Sequence, residues 1–189
     1  MKSINKKFLN EYKSLYLDVF NNQAIYNVVI EISNHLKKVK KNNKKVIIVG
    51  NGGSSSIASH VSVDLIKVVG IKSVNFNEHN LITCLTNDYG QERWVQKALE
   101  MYLEKKDLVI LISSSGKSPN MINAAKFVKK HKNYLITCTG FSNNNPLSKY
   151  GDVSMWINSK SYNVVENMHQ VLLLMAADLA LGKIYYKAN

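Results

Sequence analysis

Very little in these 189 residues could staple the chain covalently or through a metal. Two cysteines, Cys84 and Cys138, are too few for a disulfide framework and show no metal-ligand spacing. Two prolines and nine glycines exclude collagen-like and proline-rich chains. No apolar run approaches the roughly 20 residues that span a bilayer, and Met1 to Leu9 lacks the apolar centre of a signal peptide. A cytoplasmic protein with no membrane partner is therefore expected. Arginine is scarce too: it occurs once, at Arg93, although Lys and Arg together number 25 against 13 Asp and Glu.

The resulting net charge of +12 raises nucleic acid as a partner. Base readout, however, favours arginine and stacked aromatics, and neither interleaves with the lysines. Lys37, Lys38, Lys40, Lys41, Lys44 and Lys45 gather at one helix-to-strand junction and read as a solvated face, so nucleic acid is an unlikely partner. An anionic small molecule would benefit from the same field. With 46% hydrophobic residues the chain can bury one sizeable core.

Apolar residues recur at spacings of three and four over residues 5–41, predicting helix with a break near Asn21 and Asn22. Val46-Ile47-Ile48-Val49 then reads as a buried parallel strand. Further strands are expected at Ser73–Asn75, Leu108–Ile112, Tyr134–Thr139 and Val153–Ile157. Helices are expected at Ser55–Val68, Leu81–Asn87, Gln91–Leu103, Asn120–His131, Asn145–Tyr150 and Val164–Ile184. Alternating strands and helices imply an α/β domain with a mostly parallel sheet covered on both faces. Residues 1–44 form an N-terminal helical arm and 45–189 the core, the two making one structural unit.

In such a sheet, ligands bind beyond the carboxyl ends of the strands. Two loops there stand out. Gly50-Asn51-Gly52-Gly53-Ser54 joins a strand to a helix, where glycines let backbone amides approach an anion at a helix N-terminus. Its spacing matches neither a dinucleotide fingerprint nor a P-loop, so no nucleotide cofactor is expected. Ser113-Ser114-Ser115-Gly116-Lys117-Ser118 follows a second strand, with Pro119 placed for a first helical turn and Ser118 as N-cap. Hydroxyls at two strand ends suit a phosphate monoester.

These loops, with Asn87-Asp88-Tyr89-Gly90 between them, resemble a sugar isomerase (SIS) domain, in particular its phosphoheptose isomerase subgroup. The resemblance spans roughly residues 20–185. It implies a flavodoxin-like, doubly wound sheet of five parallel strands and a homotetramer with sites shared between subunits. It also implies a sugar phosphate held by Asn51, Gly52, Gly53, Ser54, Ser113, Ser114, Ser115 and Ser118, with Asn87 and Asp88 on sugar hydroxyls.

Aldose–ketose isomerisation needs a base that moves a proton between adjacent carbons, and an acid that serves the oxygens. His60 and Asp64 lie four apart on the helix after the first loop and so share a face. Glu166 and His169 lie three apart on the last helix. The resemblance assigns catalysis to Asp64 or Glu166 as base with His60 or His169 as acid, and gives Glu166 a place in substrate binding as well. For His169, a buried packing role is the competing reading. The match is imperfect: the family has glutamate at Asp64, glutamine at Glu166, histidine at Leu174, aspartate at Asn163 and arginine at Val68. A zinc ion held by His60, Asp64 and Glu166 would replace the family's set, which Leu174 leaves incomplete. The reaction implied interconverts sedoheptulose 7-phosphate and D-glycero-D-manno-heptose 7-phosphate, for lipopolysaccharide, capsule or another glycan. The alternative is a catalytically inactive SIS module that binds phosphosugars, or protein in the manner of relatives that associate with a replication initiator.

Overall fold

The structure is a computed structural model and describes residues 2–186. Two helices come first, α1 (Lys2–Phe20) and α2 (Gln23–Lys41), parted where the asparagine pair predicted a break. Asn22 caps α2 by accepting from the Ala24 amide at 3.0 Å. The remaining elements are β1 (Lys45–Gly50), α3 (Gly53–Asp64), β2 (Lys72–Val74), α4 (His79–Tyr89), α5 (Trp94–Tyr102), β3 (Leu108–Ser113), α6 (Pro119–Lys130), β4 (Tyr134–Thr139), β5 (Val153–Trp156) and α7 (Tyr162–Leu181).

The five strands are all parallel, in the order β2-β1-β3-β4-β5. That is the flavodoxin-like winding, whose switch point falls between β1 and β3. Alternation along each strand splits the core in two. Val46, Ile48, Ile110, Ile112, Ile136 and Cys138 face α2, α3 and α7. Ile47, Val49, Val109, Leu111 and Leu135 face α5 and α6, where Trp94, Leu99, Met121 and Val128 meet them. The central strands carry almost no polar residue because both faces are covered.

α2 belongs to this core rather than standing apart, burying Ile25, Val29, Ile32 and Leu36 against α7. α1 is more exposed and contributes Tyr12, Leu15, Tyr16 and Phe20 at the edge. α7 is long and apolar enough to cross a membrane by length and composition, but it buries Val164, Val165, Met168, Leu172, Leu173, Ala176 and Ala177 inside the domain.

Two expectations need correction. The helix expected over 145–150 is only a 3₁₀ turn at Ser148–Tyr150, because the Asn145 side chain takes the Ser148 amide at 2.9 Å and holds the segment as a loop. The helix expected through Val68 is α-helical only to Asp64 and continues as a π-helical turn, Leu65–Val69. Gly70 ends it at φ +73°, and the Lys40 ammonium donates to the Val69 carbonyl at 2.6 Å.

Candidate active site

The two loops meet at the switch point. β1 ends at Gly50 and β3 at Ser113, and the strands pair through Gly50 and Ile112. The Asn51 side-chain amide donates to Asn120 Oδ1 at 3.0 Å, and the Asn120 amide donates back to Asn51 Oδ1 at 2.9 Å. This reciprocal pair ties the first loop to the first turn of α6. Asn120 is buried, and its Oδ1 also accepts from the Met121 amide. Within the second loop the Ser113 and Ser118 hydroxyls share a bond of 3.2 Å, and Ser115 Oγ accepts from the Lys117 amide at 3.2 Å. Ser113 and Ser114 are nearly closed off, whereas Ser115 and Ser118 remain half-exposed. Gly116 turns the loop at φ +63° over the Asn145 side chain, which leaves no room for a Cβ. Ser118 takes the N-cap position before Pro119, as expected, although its side chain makes no capping bond.

The Ser114 carbonyl accepts from the Gly140 amide at 2.8 Å, which locks the serine loop to the end of β4. Opposite lies α7. Glu166 reaches out of it to the first loop, with its carboxylate against Gly53, where a Cβ would collide, and Oε1 3.5 Å from the Ser114 hydroxyl. The site therefore has backbone and hydroxyl donors from two strand ends and one carboxylate from the last helix.

Farther along α3, the Gln170 amide donates to His60 Nδ1 at 3.0 Å. That bond leaves the proton of a neutral His60 on Nε2, which lies 3.7 Å from Asp64 Oδ2. The His60 side chain is 50% exposed and Asp64 26%, so both groups can meet a ligand. At the far end, burial raises the pKa of Asp178 above the ordinary carboxylate range; the Tyr186 hydroxyl opposes that shift and the charge of nearby Asp64 adds to it. Glu166, Gln170, Leu174 and Asp178 are four residues apart along α7. α3 and α7 thus share a polar seam running from the serine loops to Tyr186, and Leu174 is its one apolar member.

Of the four residues proposed for catalysis, the structure keeps three on this seam. His169 is removed from it. The ring is fully buried among the apolar residues of α7, with Nε2 3.0 Å from the Thr139 carbonyl. Burial lowers its pKa to about 4, so it is neutral at physiological pH and has no path to a substrate. Nδ1 has no partner. Residues three apart on a helix still differ by about 60° in direction, which carries His169 inward while Glu166 faces the loop.

The metal set is also broken up. His60 and Asp64 approach each other, but Glu166 turns towards Gly53 and Ser114, and Gln170 occupies His60 Nδ1. Among the described residues no three His, Cys, Asp or Glu are placed to hold a metal ion. The described residues of one chain do not fit zinc. Asn87 and Asp88 are exposed at the end of α4, where Asn87 donates to Asp88 at 3.0 Å. Asn120, Gln170 and Asn145 went unnoticed as site residues. Asn120, directly after Pro119 at a strand-end helix, carried the only signal that could have found it.

The model of the SIS domain matches residues 7–140, well over half of the chain. The chain belongs to the SIS domain family. This SIS protein is 27% identical over 191 residues to a phosphoheptose isomerase of Sulfurimonas denitrificans, covering 98% of this chain and 97% of the relative. In structure it is similar to a phosphoheptose isomerase from Francisella tularensis, with a TM-score of 0.84 over 97% of this chain and 100% of that one at 19% identity. A phosphoheptose isomerase from Neisseria gonorrhoeae superposes with a TM-score of 0.77, covering 94% and 98% of the two chains at 20% identity. The solved structures bear out the doubly wound fold, and the matched segment runs across residue 44.

Proposed function

We propose that this SIS protein is a cytoplasmic aldose–ketose isomerase acting on a heptose 7-phosphate. The observation that carries the reading is the Asn51–Asn120 pair, which joins two serine-rich strand ends into one cradle at the N-terminus of the helix that also bears His60 and Asp64. Each residue adds 1.5 Å to a helix, so His60 and Asp64 lie about 10 and 16 Å along the axis from Gly53. An extended heptose 7-phosphate held at the loops by its phosphate reaches towards His60, whose Nε2 lies 3.7 Å from Asp64 Oδ2.

The Gly52 and Gly53 backbone and the Ser54, Ser115 and Ser118 hydroxyls bind the phosphoryl group, aided by the positive end of the α3 dipole. Glu166 accepts hydrogen bonds from hydroxyls next to it. Asp64 takes the C1 proton of the ketose, giving an enediol, and returns it to C2 of the aldose. His60, aligned by Gln170, carries the proton between O1 and O2. Homologues named phosphoheptose isomerase support this substrate. A second copy of the chain completes the site in this reading, covering the apolar side chains Ile30, Val171 and Leu179 that one chain leaves exposed.

Incubation with sedoheptulose 7-phosphate, followed by NMR, tests the proposal. The aldose signals of the heptose 7-phosphate are expected, and they should vanish in Asp64→Asn. A folded protein that binds the sugar phosphate without turning it over would make it a phosphosugar-binding module instead. Leu174 and buried His169 favour that second reading, since both stand where a proton-transferring side chain was expected.

A further inference from the structure

The opposite end of the sheet carries a second cavity, of about 590 Å³, lined by α2, α6 and the turns that lead into β3 and β4. Its acidic groups are already engaged. Asp107 is fully buried, 2.6 Å from the Lys45 ammonium, and accepts from the Lys45 and Glu104 amides. Asp152 is paired with Lys129 and accepts from the Leu135 amide at 2.9 Å. Lys38, Lys106 and Lys132 also line the cavity, and none has a carboxylate within ion-pair distance among the described residues. The cavity is left with three uncompensated positive charges.

Helix dipoles account for only part of this. Lys38 lies in the last turn of α2, where a cation complements the carbonyl end. Lys106 and Lys132 lie beyond the ends of α5 and α6, in the turns, at φ +72° and +58°. Glycine or asparagine is the ordinary occupant of that region, and lysine there is strained. Beside the lysines, His35 stacks on Tyr134 with ring centroids 3.6 Å apart and planes 21° apart, and both rings border the cavity. Burial lowers the His35 pKa and the Lys38 charge adds to the shift, while the charges of Glu31 and Asp152 oppose it.

We propose that this cavity binds a diphosphate group, either free or carried by a nucleotide, at the end of the sheet away from the serine loops. Lys38, Lys106 and Lys132 supply the ammonium donors, and the His35–Tyr134 stack receives an attached base. The site is independent of the isomerase reading, because no residue is shared.

Isothermal titration of the full chain with inorganic pyrophosphate and with ADP, at physiological ionic strength, tests it. One saturable site per chain is expected, weakened at least about tenfold in the double variant Lys106→Gly and Lys132→Gly. Glycine relieves both strained positions, so thermal melting should show that variant to be no less stable than the parent, which separates lost binding from lost folding. Tighter binding of ADP than of pyrophosphate would assign the nucleotide, and equal binding the free diphosphate. The proposal is overturned if neither ligand saturates. It is equally overturned if the double variant binds as the parent does, or if Ser115→Ala and Ser118→Ala, rather than the lysine changes, abolish binding.

Discussion

The two ends of this sheet offer an anion different groups. At the carboxyl end these are neutral donors: hydroxyls, asparagine amides and the backbone at a helix start, with the Asn51–Asn120 pair holding the two loops together. At the amino end they are lysine ammonium groups, Lys38 from the last turn of α2 and Lys106 and Lys132 from strained turns. The first kind is directional and falls little with salt; the second is long-ranged and screened within about 10 Å at 0.1 M salt.

The sharpest way to break this contrast is Asp64→Asn. It should lower kcat/KM for sedoheptulose 7-phosphate about a thousandfold while diphosphate binding at the lysine end stays unchanged. Kinetics and titration on one preparation check both.

His169 offers a pH test of the carboxyl end. Its folded pKa of about 4 lies below the unfolded value near 6.5, so the unfolded chain takes up the proton first as pH falls. The stability tied to neutral His169 is fully present above pH 6.5 and is lost as pH falls towards 4. Denaturant titrations should show a loss of about 3 kcal/mol over that window, absent in His169→Gln.

Gly116→Ala should cost about 2 kcal/mol, because alanine is strained at φ +63° and its methyl would displace Asn145 from the Thr139 hydroxyl and the Ser148 amide. Chemical denaturation, with sugar-phosphate affinity measured alongside, checks it. The reverse change at the other end, Lys106→Gly, should raise stability by up to about 1 kcal/mol, read as a higher denaturation midpoint.

Where local rules dominate, the residues alone were enough. Val46–Val49 and Leu108–Ile112 announced buried strands because a strand covered on both faces must be apolar throughout. Asn21 and Asn22 marked the break between helices, and the glycine and serine loops marked the carboxyl ends of β1 and β3. The segment at 145–150 misled because an asparagine side chain competed with the helical backbone for its own amides, a contest that composition does not reveal.

Helix rotation and packing decided the rest. The spacing of Glu166, His169 and Gln170 restricts each to a face of α7, but which face meets α3 depends on where the sheet and α2 press that helix. That is why His169 ends beneath the Thr139 carbonyl, Glu166 over Gly53 and Gln170 on His60. The lysines behave likewise. Their number was plain from the composition, but only the convergence of the α2 end and two turns at the amino end of the sheet, with Asp107 and Asp152 already paired to Lys45 and Lys129, left Lys38, Lys106 and Lys132 without carboxylate partners among the described residues around a cavity. Local hydrogen bonding and burial act over a few residues and leave their mark in the chain, whereas charge balance is set by neighbours that are distant in sequence and meet only on folding.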